Sequence, residues 1–86
     1  MEFPVAIHKD PGSVYGVIVP DIPGCHSWGI DVENAIANVK RAIVLHVGML
    51  VETGHPQQFV PSAVEFLRKQ EGLADAVWAF VDVDLA

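Results

Sequence analysis

Pro20-Asp21-Ile22-Pro23-Gly24-Cys25-His26-Ser27-Trp28-Gly29 lies between a strand-like run and the one long helix-like run of an 86-residue chain. Its composition makes it a pivot. Pro20 and Pro23 fix φ and lack a backbone donor, which keeps both out of a central ladder, while Gly24 and Gly29 can take positive φ. A rigid, shaped turn follows. Asp21 to Gly24 has the length of a hairpin connection, so Cys25 to Trp28 is expected to return as a third antiparallel strand. Beyond it, Asp31 is placed to cap a helix, its carboxylate accepting from the first free N–H groups.

Upstream of the pivot, Glu2 to His8 alternates, with Phe3, Val5 and Ile7 on one side and Pro4, Ala6 and His8 on the other. Lys9 to Ser13 is dense in turn formers, and Val14 to Val19 is β-branched and apolar. These two runs predict a hairpin. Downstream, Val32, Ile36, Val39, Ile43, Val47 and Leu50 recur at spacings of three and four, which predicts a helix over Val32 to Val51. Gly54 would stop it in the left-handed region and Pro56 would prevent continuation. The second half of this helix carries Val44, Leu45, Met49 and Val51 away from the main seam, and Gly48 admits a close backbone. That half needs cover, either from the segment after Gly54 or from a second copy of the chain.

Ser62 with Glu65 forms a capping-box pattern before a short helix over Ala63 to Gln70, ending near Gly72. Val77 to Asp84 alternates again, Val77, Ala79, Val81 and Val83 against Trp78, Phe80, Asp82 and Asp84, as a strand buried at its beginning. A helix between strands permits a right-handed crossover, which would add this strand parallel to the first. The fold class expected is α+β, β-β-β-α-β with a mostly antiparallel sheet, one long helix and a short second helix packed on one face. Residues 1–86 are read as one domain, too short to split.

Hydrophobic residues make up 51% of the chain and mean hydropathy is +0.35, high enough to expect association that covers apolar surface. No apolar run approaches the ~20 residues that span a bilayer, and no basic-then-apolar leader opens the chain, so no membrane partner and a cytoplasmic protein are expected. The single cysteine fits a reducing compartment. A net charge of −6 and a pI near 4.9 oppose binding to a phosphate backbone. The same acidity favours encounter with a basic protein, or serves solubility alone.

Cys25-His26 invites a nucleophile-and-base reading, but strand neighbours point to opposite faces, so no catalytic residues are assigned. His8, Asp21, His26, His46, His55, Asp82 and Asp84 show no ligand spacing, and no metal or cofactor is expected. Asp82 and Asp84 could hold Mg²⁺ only with a further carboxylate from Asp10 or Asp21. Phe80 and Trp78 are expected in the core; Tyr15 and Trp28 are core or interface aromatics. Asp21 is a candidate for an Asx bond within its own turn.

Pro20-Asp21-Ile22-Pro23-Gly24-Cys25, then Gly29, Glu33 and Ala35, resembles the amino-terminal domain of the HicB-type antitoxins of bacterial toxin–antitoxin pairs. Phe3-Pro4-Val5, Asp10 with Gly12, Tyr15-Gly16-Val17 and Val81 to Leu85 extend the resemblance over nearly the whole chain. Where the family often has a Thr cap and two successive Glu, this chain has Asp31, Glu33 and Asn34. The resemblance implies a partial RNase H-like fold without its catalytic centre and a stoichiometric antitoxin. Its partner would be a small basic HicA-type toxin, an mRNA-cleaving ribonuclease whose active site is occluded, and homo-oligomers are expected. Tyr15, Asp21, His26, Trp28, Asp82 and Asp84 are the expected contacts. Family members commonly carry a carboxy-terminal DNA-binding domain that this chain lacks, so no DNA binding by these residues is expected. Two other classes stay open: a Mg-dependent RNase H-like nuclease on Asp82 and Asp84, and a homo-oligomeric module binding a ligand or peptide beside Trp28.

Overall fold

The computed structural model describes residues 1–9, 11–55 and 59–84. In chain order the elements are β1 (Glu2–Lys9), β2 (Tyr15–Ile18), β3 (His26–Gly29), α1 (Val32–Glu52), α2 (Val64–Leu67) and β4 (Val77–Asp82). The strands form one sheet in the order β3-β2-β1-β4. The α+β architecture with one long and one short helix is as the residue pattern predicts.

The pivot contains two successive turns. Ile22 N–H donates to Val19 O at 3.1 Å and Cys25 N–H to Ile22 O at 3.0 Å. In the second turn Pro23 presets φ and Gly24 takes φ +83°, the pairing a type II turn requires. Ile22, between the turns, is fully buried. The pivot therefore closes over the core.

At the start of α1, Asp31 Oδ1 accepts from Asn34 N–H at 2.7 Å, and Asn34 Oδ1 accepts in return from Ile30 N–H at 3.1 Å. The reciprocal pair satisfies donors that the helix leaves open. At the other end Gly54 has φ +78°; its N–H donates to Val51 O and His55 N–H to Leu50 O. This is a Schellman stop. Pro56 falls outside the described residues.

Ala35, Val39 and Ile43 bury one seam of α1 against Phe3, Val5, Ile7, Val17, Val19, Cys25, Val81 and Val83. At 21 residues and a hydropathy of 1.2, α1 is long and apolar enough to cross a bilayer on composition alone. Its buried seam instead commits it to the sheet. Gly29 fixes how closely it sits: a Cβ there would lie 2.3 Å from Ala35 N and 2.6 Å from Ala35 Cα.

Several expectations fail. β4 runs antiparallel to β1, with Phe3 opposite Val81 and Ile7 opposite Val77, rather than parallel. The reason is the connection. A helix alone would return the chain for a parallel strand, but β4 pairs antiparallel to β1 and so enters from the end at which β3 finished, with residues 59–76 preceding it. β4 is also buried toward its end, at Val81 and Val83, while Val77 is 67% exposed. Ser62 does not cap α2: Ala63 occupies that position with no side-chain bond, and α2 is one turn long. The segment after Gly54 leaves Val44, Leu45, Met49 and Val51 exposed, so cover from within the described chain is absent.

Candidate partner-binding surface

Cross-strand register divides the sheet into two faces. Phe3, Val5 and Ile7 with Val17, Ala79 and Val81 face α1; Pro4, Ala6 and His8 with Ile18, His26, Trp28, Trp78 and Phe80 face away. On this second face Pro4 and Ala6 are fully buried at the centre. Trp78, opposite Ala6, is half-buried and its Nε1 has no partner. Around that centre Trp28 is 62% exposed, Phe80 57% and Ile18 37%. The result is an aromatic-bearing apolar face on an acidic chain.

A groove of about 530 Å³ opens on the β2–β3 side of this face, lined by His8, Gly16, Ile18, Pro20, Pro23, His26 and Trp28. Gly16 lets the His8 ring lie across β2, since a Cβ there would stand 2.7 Å from His8 Nε2. Trp28 is held from behind: its carbonyl accepts from Asn38 Nδ2 of α1 at 2.8 Å. A second groove of about 450 Å³ runs between α1 and the end of β4, with Lys40 and Arg41 on one wall and Asp82 and Asp84 on the other.

The six expected contact residues do not form one cluster. His26 and Trp28 are together on the outward face of β3. Tyr15 is on the α1 side, half-buried against the core, with Lys9 Nζ 5.3 Å from its ring centroid. Asp82 and Asp84 are exposed at the far edge, two strands beyond β2, and Asp82 Oδ1 pairs with the Met1 amine at 3.2 Å. Asp21 is half-buried and makes no Asx bond; its carboxylate accepts from Ser62 N–H at 2.8 Å and Ser62 Oγ–H at 2.5 Å. That bond ties the pivot to the chain leaving α1.

Cys25 is buried among core side chains, whereas His26 is on the other face, so the two share no hydrogen bond. Burial pushes the Cys25 thiol above its ordinary value, the reverse of an activated nucleophile. Among the described residues no three His, Cys, Asp or Glu side chains converge as metal ligands. Asp10, one candidate third carboxylate beside Asp82 and Asp84, lies outside the described residues. Phe80, expected in the core, is instead exposed, and Ile18 joins it unforeseen. The alternation in β2 carries the signal, for Ile18 stands between the core residues Val17 and Val19.

A family model described as "HicB_like antitoxin of bacterial toxin-antitoxin system" matches residues 3–86. The N-terminal domain of Burkholderia pseudomallei antitoxin HicB is 54% identical in sequence with a TM-score of 0.87, over 99% of this chain and 100% of that one. A chain of a HicA3 and HicB3 toxin-antitoxin complex is 26% identical with a TM-score of 0.76, over 98% and 99%. An uncharacterized 14.9 kDa protein of Haemophilus phage HP1 (strain HP1c1) is 37% identical over 99% of this chain, which spans 62% of the phage protein's length.

Proposed function

The chain belongs to the HicB-like antitoxin family of bacterial toxin–antitoxin systems, and from that premise we propose that it neutralises a small basic HicA-type, mRNA-cleaving toxin by covering the toxin's active site. The observation that carries this reading is the outward sheet face: Trp28, Ile18 and Phe80 are exposed together on a chain of net charge −6. Exposed aromatics supply desolvated anchors, and the acidity speeds encounter with a cationic partner. The protein acts by stoichiometric binding, not by turnover. It works in the cytoplasm, and these residues bind no operator DNA themselves. The exposed Val44, Leu45 and Met49 on α1 give it the apolar surface to self-associate.

Co-expression with the toxin tests this. The chain should rescue growth and co-purify with it, and Trp28→Ala should weaken the complex by about 2 kcal/mol, the size of an interface hot spot, with the fold intact. A folded Trp28→Ala variant with unchanged affinity removes the Trp28 assignment; arrest without a complex removes the function.

A further inference from the structure

The two sides of α1 meet different surroundings. Ala35, Val39 and Ile43 lie on the sheet. With 3.6 residues per turn, Ala37, Arg41, Val44, Leu45, Gly48 and Glu52 fall on the opposite side, and all six are exposed. Leu45 is 70% open, Met49 63% and Val51 59%, so the second half of the helix carries an apolar stripe that no other described residue covers. Arg41 stands at one end of this stripe and Glu52 at the other.

Those charges choose the cover. A basic protein such as the toxin would bring cations to Lys40 and Arg41, like against like. A second copy answers Arg41 with Glu52. In a two-fold antiparallel pair, setting Leu45 level with Gly48 of the second copy also sets Arg41 level with its Glu52, and symmetry repeats both contacts. A parallel pair would instead bring Arg41 against Arg41. The surface is hollow where Leu45 would sit, for a Cβ on Gly48 meets nothing within 4 Å. The Arg41 guanidinium donates to Asn38 Oδ1 of its own helix with donors to spare, and Glu52 has no ion pair among the described residues. Across the neighbouring groove Asp82 already has the Met1 amine, so Lys40 and Arg41 outnumber the one further carboxylate there, Asp84.

We infer that two copies of the chain pair antiparallel along α1, Leu45 of each seated over Gly48 of the other and Arg41 of each beside Glu52 of the other. This rests on the self-association in the antitoxin reading and adds its geometry. It also fixes a consequence: the contact is on the side of α1 away from the sheet, so the outward sheet faces of both copies stay open, and each takes one toxin.

Sedimentation equilibrium of the whole chain reads the pairing, and titration with the toxin reads the open face. At about 100 μM the wild type should sediment at twice its 9.3 kDa. Leu45→Glu places a charge on the seam without touching the core, so it should raise the dimer dissociation constant at least about 30-fold and leave toxin affinity within about 3-fold. Arg41→Glu and Glu52→Arg should each weaken the dimer about 10-fold, and the double variant, which restores the pair with its signs exchanged, should return to within about 3-fold of wild type. A monomeric wild type at that concentration, a dimer indifferent to Leu45→Glu, or single reversals that the double variant does not rescue overturns the pairing and leaves the antitoxin function standing. Loss of toxin binding by a folded Leu45→Glu monomer assigns the stripe to the toxin and also overturns it. A dimer that obeys the charge exchange yet forms no toxin complex upholds the pairing and removes the antitoxin reading.

Discussion

Gly29→Ala is expected to be among the most damaging single-methyl additions in this chain. Gly29 does not need positive φ; what it needs is the missing Cβ, because α1 is seated directly on β3. An added Cβ would lie 2.3 Å from Ala35 N, 2.6 Å from Ala35 Cα and 2.8 Å from Asn34 C. Nonbonded carbons settle at about 3.5–4.0 Å, so relief requires about 1 Å of movement. All three atoms are backbone of the first helical turn, which cannot rotate aside as a side chain would. Moving that turn strains the Asp31–Asn34 cap and the Ala35, Val39 and Ile43 seam together. Overpacking costs about 1–3 kcal/mol, and the rigid obstacle puts this case at about 3 kcal/mol. A domain of this size loses about 4–8 °C of Tm per kcal/mol, so a fall of about 12–24 °C is expected. Gly48→Ala is the internal control: its Cβ meets nothing within 4 Å, and Ala in a helix interior should raise stability by about 0.5–1 kcal/mol. Thermal melts followed by circular dichroism at 222 nm read both. A Gly29→Ala protein melting within about 3 °C of wild type would refute the claimed helix-on-strand contact.

Asp21→Ala removes the acceptor of both Ser62 bonds and should cost about 1–2 kcal/mol in urea unfolding, less than fully buried charged bonds because both residues are only half-buried; Ser62→Ala, which keeps its N–H, should cost less. Equal stability of Asp21→Ala and wild type would mean that the tether contributes nothing in solution. The Cys25 thiol is pushed above its ordinary value of 9.0 by burial, so the unfolded thiol ionises first. Between the unfolded and folded values the unfolded state holds fewer protons, and stability must fall as pH rises through that window, with no effect well below it. Cys25→Ala should flatten that alkaline decline, and an unchanged slope would show that Cys25 is not its source.

The parts of the fold governed by local chemistry were legible. Asp31, Gly54 and the three-and-four spacing of the α1 seam mark the helix within a residue of its observed ends, since caps and periodicity act over a few residues. The Pro23-Gly24 turn and the alternation in β1 were equally plain. Features set by distant partners were not. The direction of β4 depends on where the chain stands when it reaches Val77, which no local signal specifies. Ser62 and Glu65 have a capping pattern, yet the Ser62 hydroxyl finds Asp21, 41 positions away, and that competing bond leaves Ala63 as the uncapped helix start. For the surface, Trp28 and His26 were expected at a contact and lie on the outward face, whereas Phe80 was assigned to the core because an alternating strand does not reveal which of its two apolar faces is covered. Tyr15 and Asp21, beside the pivot in sequence, are turned inward by the register and by Ser62.

The placement of β1 has a consequence for synthesis. Of the four strands, β1 leaves the ribosome first and pairs on one side with β2, which follows at once, and on the other with β4, the last of the four to be made. At about 5–20 residues per second, one side of β1 waits about 4–15 s for its neighbour. Throughout that interval Phe3, Val5 and Ile7 lack Val81 and Ala79, and the Met1 amine lacks both Asp82 and the Val83 carbonyl. A ribosome that stalls before residue 77 leaves a chain whose strand β1 is an open edge, so the capacity to fold is withheld until β4 has been made.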